Sequence, residues 1–367
     1  AERAPMRLTQ RAENIVLPIA AVVIALLIGA VLIWLNGSNP WTAYSALIEG
    51  ALGSKEAIAR TLARATPVTL TGLAVIVGMK GGLFNIGAQG QLLFGAMFAA
   101  WVGYRFTGLP PVLHVPFCLL VGGIMGMLPA ALAGFLKAYR GAHEVITTIM
   151  LNVILVNLTE YFVGARGPFH DPDAGAISRT PLIEPSARIG DFLGLDWLPF
   201  GYLIALTTAI VMWFFLGRTT IGFRITTVGQ NKDAATYGGI SAARITVLAM
   251  AISGFLAGFG GAIETQSVFN RYEAGFNVGL GFDGITVALL ARVQPLLAIP
   301  AALLLGIMRA GQTTMAFKAG VPQEIIDVIL AIILLLVCAP IVVRWILRLR
   351  RPRDETTTIQ LTSGWGG

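Results

Sequence analysis

Long apolar blocks, broken by short polar segments, dominate the pattern along this chain. No charged residue occurs from Ile15 to Leu35, from Ile245 to Ile263, or from Val328 to Val343. A bilayer core about 30 Å thick is crossed by about 20 mostly apolar residues in a helix. The pattern therefore predicts spanning helices near 15–35, 62–79, 84–104, 112–136, 145–164, 200–217, 245–265 and 325–345. A further apolar region, 284–310, carries Arg292, Gln294 and Pro295 at its middle. A charge at the bilayer centre costs roughly 2.5–3.5 kcal/mol on insertion scales, and proline breaks a helix. The region therefore divides into helices at 284–293 and 296–310. The expected fold is an all-α polytopic membrane protein with about ten crossings, or eight plus a re-entrant pair.

Charge sets the orientation. Arg3, Arg7 and Arg11 precede the first block, Lys137 and Arg140 follow the fourth, and Arg218, Arg224, Lys232 and Arg244 lie between the sixth and seventh. Arg344, Arg348, Arg350, Arg351 and Arg353 crowd the last. The 165–199 segment instead holds Asp171, Asp173, Glu184, Asp191 and Asp196 against Arg166, Arg179 and Arg188. Basic loops stay on the cytoplasmic side. Residues 1–14, 218–244 and 346–367 are expected inside, 165–199 outside, and 15–345 form the membrane domain. Both termini then lie inside, which requires an even number of crossings.

Composition narrows the class. Hydrophobic residues make up 56% of the chain and charged residues 12%, against about 25% charged in a soluble domain. The net charge of +7 is accounted for by the helix flanks and by lipid, so no nucleic-acid partner is expected. Cys118 and Cys338 sit inside apolar blocks, which leaves no disulfide framework or metal motif. The first block is too long for a signal-peptide core and reads as a retained span.

Polar residues at membrane depth mark candidate chemistry. Gly81-Gly82-Leu83-Phe84-Asn85-Ile86-Gly87-Ala88-Gln89-Gly90-Gln91 sets Asn85, Gln89 and Gln91 among glycines. One reading is a broken helix beside a solute pathway. The other is a surface loop followed by a helix whose amides bind neighbouring helices. Phe84-Asn85-Ile86-Gly87 is echoed by Phe276-Asn277-Val278-Gly279, the mark of an internal repeat. Asp283 opens the next helix, as a first-turn acid or a substrate contact. Asn152 lies mid-span and needs a partner or a cavity, whereas Glu144 and Glu264 fall near span ends and are expected to be solvated. Gly122/Gly126 and Gly254/Gly258 have the spacing of close helix packing.

The basic loop after the sixth block contains a short helix with its own punctuation. Asn231 suits the N-cap, Asp233 the first turn, Ala234 and Ala235 the helix, and Gly238-Gly239 its end. Tyr237 projects like a knob entering a groove. This loop resembles the coupling helix of bacterial ABC-importer permeases of the ribose and branched-chain amino-acid class. Residues Gly82 to Gly90, Thr147-Thr148-Ile149-Met150-Leu151-Asn152 and Gly281-Phe282-Asp283-Gly284-Ile285 resemble the nucleoside/simple-sugar branch of that class. The resemblance runs from about residue 15 to 345.

What it implies is the permease subunit of an importer in a bacterial inner membrane, pairing with itself or a paralogue. An ABC ATPase would sit below and an extracytoplasmic solute-binding protein would deliver the solute. None of the five lysines is followed by Ser or Thr, so this sequence has no GxxxxGK[ST], and ATP is expected on a separate subunit. The chain itself is expected to be neither an enzyme nor a cofactor carrier. Asn85, Gln89, Gln91, Asn152, Asn277 and Asp283 are the candidate pathway residues. Gly229, Asn231, Ala234, Ala235, Tyr237 and Gly238 are the candidate ATPase-coupling residues. An ion-coupled secondary transporter is the alternative, but its coupling acids are nearly missing from the span centres. A membrane enzyme would cluster His114, His143 and His170, which instead lie in separate segments.

The charge pattern is tested by single-cysteine labelling of intact cells. An impermeant thiol reagent should reach 165–199 and miss 218–244. Labelling of 218–244 from outside would reverse the orientation.

Overall fold

The structure, a computed structural model, describes residues 10–190, 199–275 and 279–346. The chain forms two compact units, residues 1–40 with 324–367, and residues 41–323. In the first unit, helix α1 (Gln10–Leu35) packs along α13 (Glu324–Cys338) and touches α14 (Pro340–Ile346). In α13, Ile326, Ile329, Ile333 and Leu336 form a buried stripe at helical spacing.

The second unit holds α2 (Pro40–Leu52, all but its first residue), α3 (Lys55–Lys80), α4 (Ala88–Arg105), α5 (Pro111–Arg140) and α6 (Glu144–Val163). It continues with α7 (Phe200–Arg218), α8 (Thr220–Gln230), α9 (Lys232–Tyr237), α10 (Ala242–Glu264), α11 (Leu280–Leu290) and α12 (Ala298–Ala319). Among the described residues, seven helical segments are long and apolar enough to cross a membrane, those of α1, α3, α5, α6, α7, α10 and α12. Helix α4 has 18 residues, but Gln89 and Gln91 lower its hydropathy. The only paired extended contact among the described residues is an isolated bridge between Arg179 and Glu273.

Helix α3 is the axis of this unit. Every residue from Ala65 to Gly78 is buried, as expected of a helix apolar on all sides. Its threonines satisfy themselves: the hydroxyls of Thr66, Thr69 and Thr71 donate to the carbonyls of Leu62, Ala65 and Pro67 at 2.9, 2.7 and 3.0 Å. Ser54 caps its start by accepting from Ala57 N. Helix α10 lies beside it and packs most extensively on α5. The spaced glycines face one another there. A Cβ on Gly126 would lie 2.5 Å from Gly254 O and 2.6 Å from Gly258 Cα, and one on Gly95 of α4 2.5 Å from Gly258 Cα. Three helices thus meet backbone to backbone.

Two expectations change. The region 284–310 does break at 291–297, where Arg292 and Val293 take positive φ (50° and 57°). However, α11 has only 11 residues, about 16 Å at 1.5 Å per residue. It is too short to cross, whereas α12 is long and apolar enough to do so, so the region does not make two full crossings. Helix α2 was not anticipated. Its 13 residues are too few for a span, and its buried face (Ala43, Ala46, Leu47, Gly50, Ala51) packs on α12.

The 164–190 segment is tied to the chain that follows α10, where α10 continues as a π-helical turn, Thr265–Phe269. Thr180 N, Ile183 N and Ile189 N donate to the carbonyls of Tyr272, Asn270 and Gln266, and Glu184 N donates to Gly103 O of α4. Burial pushes the Tyr272 hydroxyl up to about 12.

Replacing Gly258 by Leu forces side-chain volume into a backbone contact, and overpacking of this kind costs about 1–3 kcal/mol or more. The thermal midpoint of the purified protein should fall clearly below that of Gly217→Leu, where nothing lies within 4 Å. Equal midpoints would remove the close approach from the stability argument.

Candidate functional site

A break in helical structure lies between α3 and α4. Gly81 and Gly82 (φ +69°) turn the chain after Lys80, and residues 83–85 run without regular structure before a turn at 86–87. Side chains satisfy the freed backbone. Gly87 N donates to Asn85 Oδ1 at 3.0 Å, Gly90 N to Asn152 Oδ1 at 2.6 Å, and Ile86 N to Thr148 Oγ1 at 3.3 Å.

Asn85 and Gln91 form a reciprocal amide pair. Asn85 Nδ2 donates to Gln91 Oε1 at 2.8 Å and Gln91 Nε2 donates to Asn85 Oδ1 at 3.1 Å. Asn85 Nδ2 also donates to Ser253 Oγ, which in turn donates to Ala74 O at 2.6 Å. One buried side chain thereby ties α3, α4 and α10 together. Gln89 Oε1 accepts from Gly281 N at 2.7 Å, so the first turns of α4 and α11 meet. The exchange of partners is two-fold in character: α4 packs on α10, and α11 packs on α3. Residues 276–278 of the second copy of the echoed motif, including the candidate Asn277, lie outside the described residues.

Asp283 stands in the first turn of α11, as expected, and its carboxylate is engaged within the protein. It forms a bidentate pair with Arg309 of α12, Nε to Oδ2 at 3.1 Å and Nη2 to Oδ1 at 3.0 Å, with the carboxylate side chain only 12% exposed. Sequence reasoning missed Arg309. Its signal was an arginine inside an apolar block, which demands a nearby acid. Ser253 and Thr148 were missed as well, because hydroxyls carry no such signal. Two further expectations fail: Glu144 pairs with Lys137 at 2.9 Å rather than with solvent, and Glu264 is 2% exposed.

The arrangement joins both earlier readings. The backbone is unwound between two helices, and Asn85, Gln89, Gln91 and Asn152 are engaged with protein groups in this conformation. A set of exchangeable amides around a half-helix is chemically suited to hydroxyl and heterocyclic edges, which donate and accept in the same way.

The basic loop forms two helices rather than one. Thr219 caps α8, with Gly222 N donating to its Oγ1 at 3.1 Å. Asn231 caps α9, with Ala234 N donating to its Oδ1 at 2.9 Å, and Gly238 N closes the turn on Ala234 O. Tyr237 is 95% exposed, and Phe223 of α8 is exposed too. Ala234 faces outward, but Ala235 is buried with Leu83, Ala133, Ile225, Val228 and Met250. The candidate coupling residue Ala235 is therefore turned into this chain rather than toward a partner. Its small size serves packing within this chain. Gly229, at the end of α8, lies directly against Lys80–Gly82.

The sequence pattern of the family described as branched-chain amino acid transport system / permease component matches residues 57–338. The guanosine ABC transporter permease protein NupP of Bacillus subtilis is 36% identical over 347 residues, 93% of this chain and 97% of that protein. The nucleoside ABC transporter permease protein NupB of Lactococcus lactis is 32% identical, covering 92% and 94%. The glucose ABC transporter permease protein TsgB13 of Haloferax volcanii is 30% identical, covering 87% and 85%. No solved structure matches.

Breaking the Asp283–Arg309 pair from one side leaves a buried charge, which costs about 3–5 kcal/mol. Asp283→Leu and Arg309→Met should each lower folded yield and thermal midpoint sharply. The double variant should recover much of the loss. A double variant no better than the worse single would mean that the two charges act independently.

Proposed function

The chain belongs to the branched-chain amino acid transport system permease family, and from that membership we propose that its solute is a nucleoside or a related simple sugar. It is a translocation subunit of an ABC importer and a multi-pass membrane protein. The observation that carries the solute assignment is 36% identity with a guanosine permease over nearly the whole of both chains.

In this reading a second permease chain completes the pathway and a separate ATPase subunit docks on the α8–α9 surface. Exposed Tyr237 is the aromatic anchor there. Gly229, Asn231, Ala234 and Gly238 shape and present that surface. An extracytoplasmic binding protein hands solute over on the far side, where the 165–199 loop lies, in a bacterial cell membrane. Asn85, Gln89, Gln91 and Asn152 act by exchange. As the break opens, their amides give up partners within the protein for solute hydroxyls and ring edges, at little net cost because each bond lost is replaced. The Asp283–Arg309 pair keeps α11 registered against α12 while this happens. Nucleotide hydrolysis supplies the free energy from the partner chain.

The test is transport by the assembled importer in vesicles loaded with ATP. Labelled guanosine should accumulate only with ATP, with the binding protein, and irrespective of proton or sodium ionophores. Excess unlabelled nucleosides should compete. Accumulation abolished by an ionophore with ATP still present would favour an ion-coupled transporter. Uptake of glucose but not guanosine would move the solute class to sugars.

A further inference from the structure

The break at 81–91 and the paired helices α8–α9 attract attention for unrelated reasons, one for polarity at membrane depth and the other for capping signals. They are in direct contact. A Cβ added at Gly82 would lie 3.0 Å from both Cα and O of Gly229. One added at Gly229 would collide with the Lys80 carbonyl and lie 2.7 Å from Gly82 N. No side chain stands between the two strands of backbone.

A second observation ties the same two segments. Leu83, the first residue of the unwound stretch, is buried in one cluster with Ala235 of α9 and with Ile225 and Val228 of α8. Gly81 also lies against this cluster, with a hypothetical Cβ 3.0 Å from Ala249 Cβ and 3.6 Å from Ile225 Cγ2. Three residues beyond Gly82 comes Asn85, whose amide joins α3, α4 and α10. Four further on, Gln89 holds the start of α11.

We propose that Gly82 and Gly229 are positioning residues for transport: their backbone contact carries displacement of α8–α9 into the break between α3 and α4 and, through Asn85 and Gln89, to the first turns of α4 and α11. The physical reason is compliance. Close-packed interiors transmit strain, and a contact made of backbone has no side-chain rotamer through which to absorb it. A larger residue at either position would lever the segments apart. A side chain elsewhere in the cluster would only change its volume. The inference rests on the reading of α8–α9 as the ATPase-facing segment, and the experiment separates the two.

Gly82→Ala is compared with Gly141→Ala. Both glycines have a left-handed φ, +69° and +67°, but nothing lies within 4 Å of the Gly141 position. The backbone strain is therefore matched and only the contact differs. In the reconstituted importer, solute imported per ATP hydrolysed should fall about tenfold in Gly82→Ala, within the range seen for changes along a coupling route. In Gly141→Ala it should stay within about twofold of wild type, as for substitutions away from packed features. A ratio unchanged in both, or equally reduced in both, would overturn the proposal.

Hydrogen exchange on the wild-type assembly decides the case even if Gly82→Ala does not fold. Trapping with ATP and vanadate should change amide exchange in 225–230 and in 83–90 together. Change confined to 218–240 would keep the docking surface and overturn the relay. If adding the ATPase leaves 218–240 unprotected, the docking reading fails and the relay fails with it.

Discussion

Backbone polar groups buried away from water must find partners within the protein, because each one left unpaired costs free energy comparable to a lost hydrogen bond. That constraint governs the arrangement between α3 and α4. A chain that leaves helical geometry at residues 81–87 must find partners for its freed groups. It finds them in Asn85, Thr148 and Asn152, supplied from its own segment and from α6. Those side chains then need partners themselves, which draws in Gln91 and Ser253. The network is closed. A partly satisfied version would cost more than an uninterrupted apolar helix, so the break and its amides are one feature.

Holding such a network requires helices at fixed separations. The glycine junction of α4, α5 and α10 provides this, since contacts between backbones leave little freedom in spacing. Ser253 sits one residue before Gly254, so the residue that meets Gly126 of α5 is adjacent to the one that receives Asn85. Packing of α10 on α5 and polar satisfaction of the break therefore depend on the same turn of α10.

Much of this was legible in the sequence where the signal is one-dimensional. Apolar blocks located the long helices, glycine spacing marked faces of α5 and α10 for close packing, and Asn231 and Gly238 located the ends of α9. Other features depend on which way a side chain turns. Ala234 and Ala235 are identical residues with opposite environments, and no pattern within a six-residue helix distinguishes them. Asp283 does stand in the first turn of α11, but its pairing was hidden because the partner, Arg309, lies 26 positions later in another helix. Helix α2 escaped because its 13 residues, mostly apolar and small but with Glu49 among them, fit neither the length of a span nor the polarity of a loop. Ser253 and Thr148 escaped because a hydroxyl in an apolar helix ordinarily bonds its own preceding turn, as those of Thr66 and Thr69 do, and its further contacts leave no mark in sequence.

The opposed environments of Ala235 and Tyr237 bear on how force can enter this protein. A two-turn helix is marginal in isolation, and α9 is fastened by its own cap and by one small buried residue. Its exposed tyrosine and its buried alanine stand on the same rigid turn. A partner gripping the first must move the second. Ala235 shares its cluster with Leu83, so displacement of α9 without displacement of the break would open a void among Ile225, Val228, Leu83 and Met250. Voids in apolar clusters are costly in proportion to their volume. Moving the two segments together leaves the packing intact. The lower-energy response to a pull on α9 is therefore concerted motion, and the element it moves is the one stretch of the α3–α4 connection where helical hydrogen bonds have already been given up.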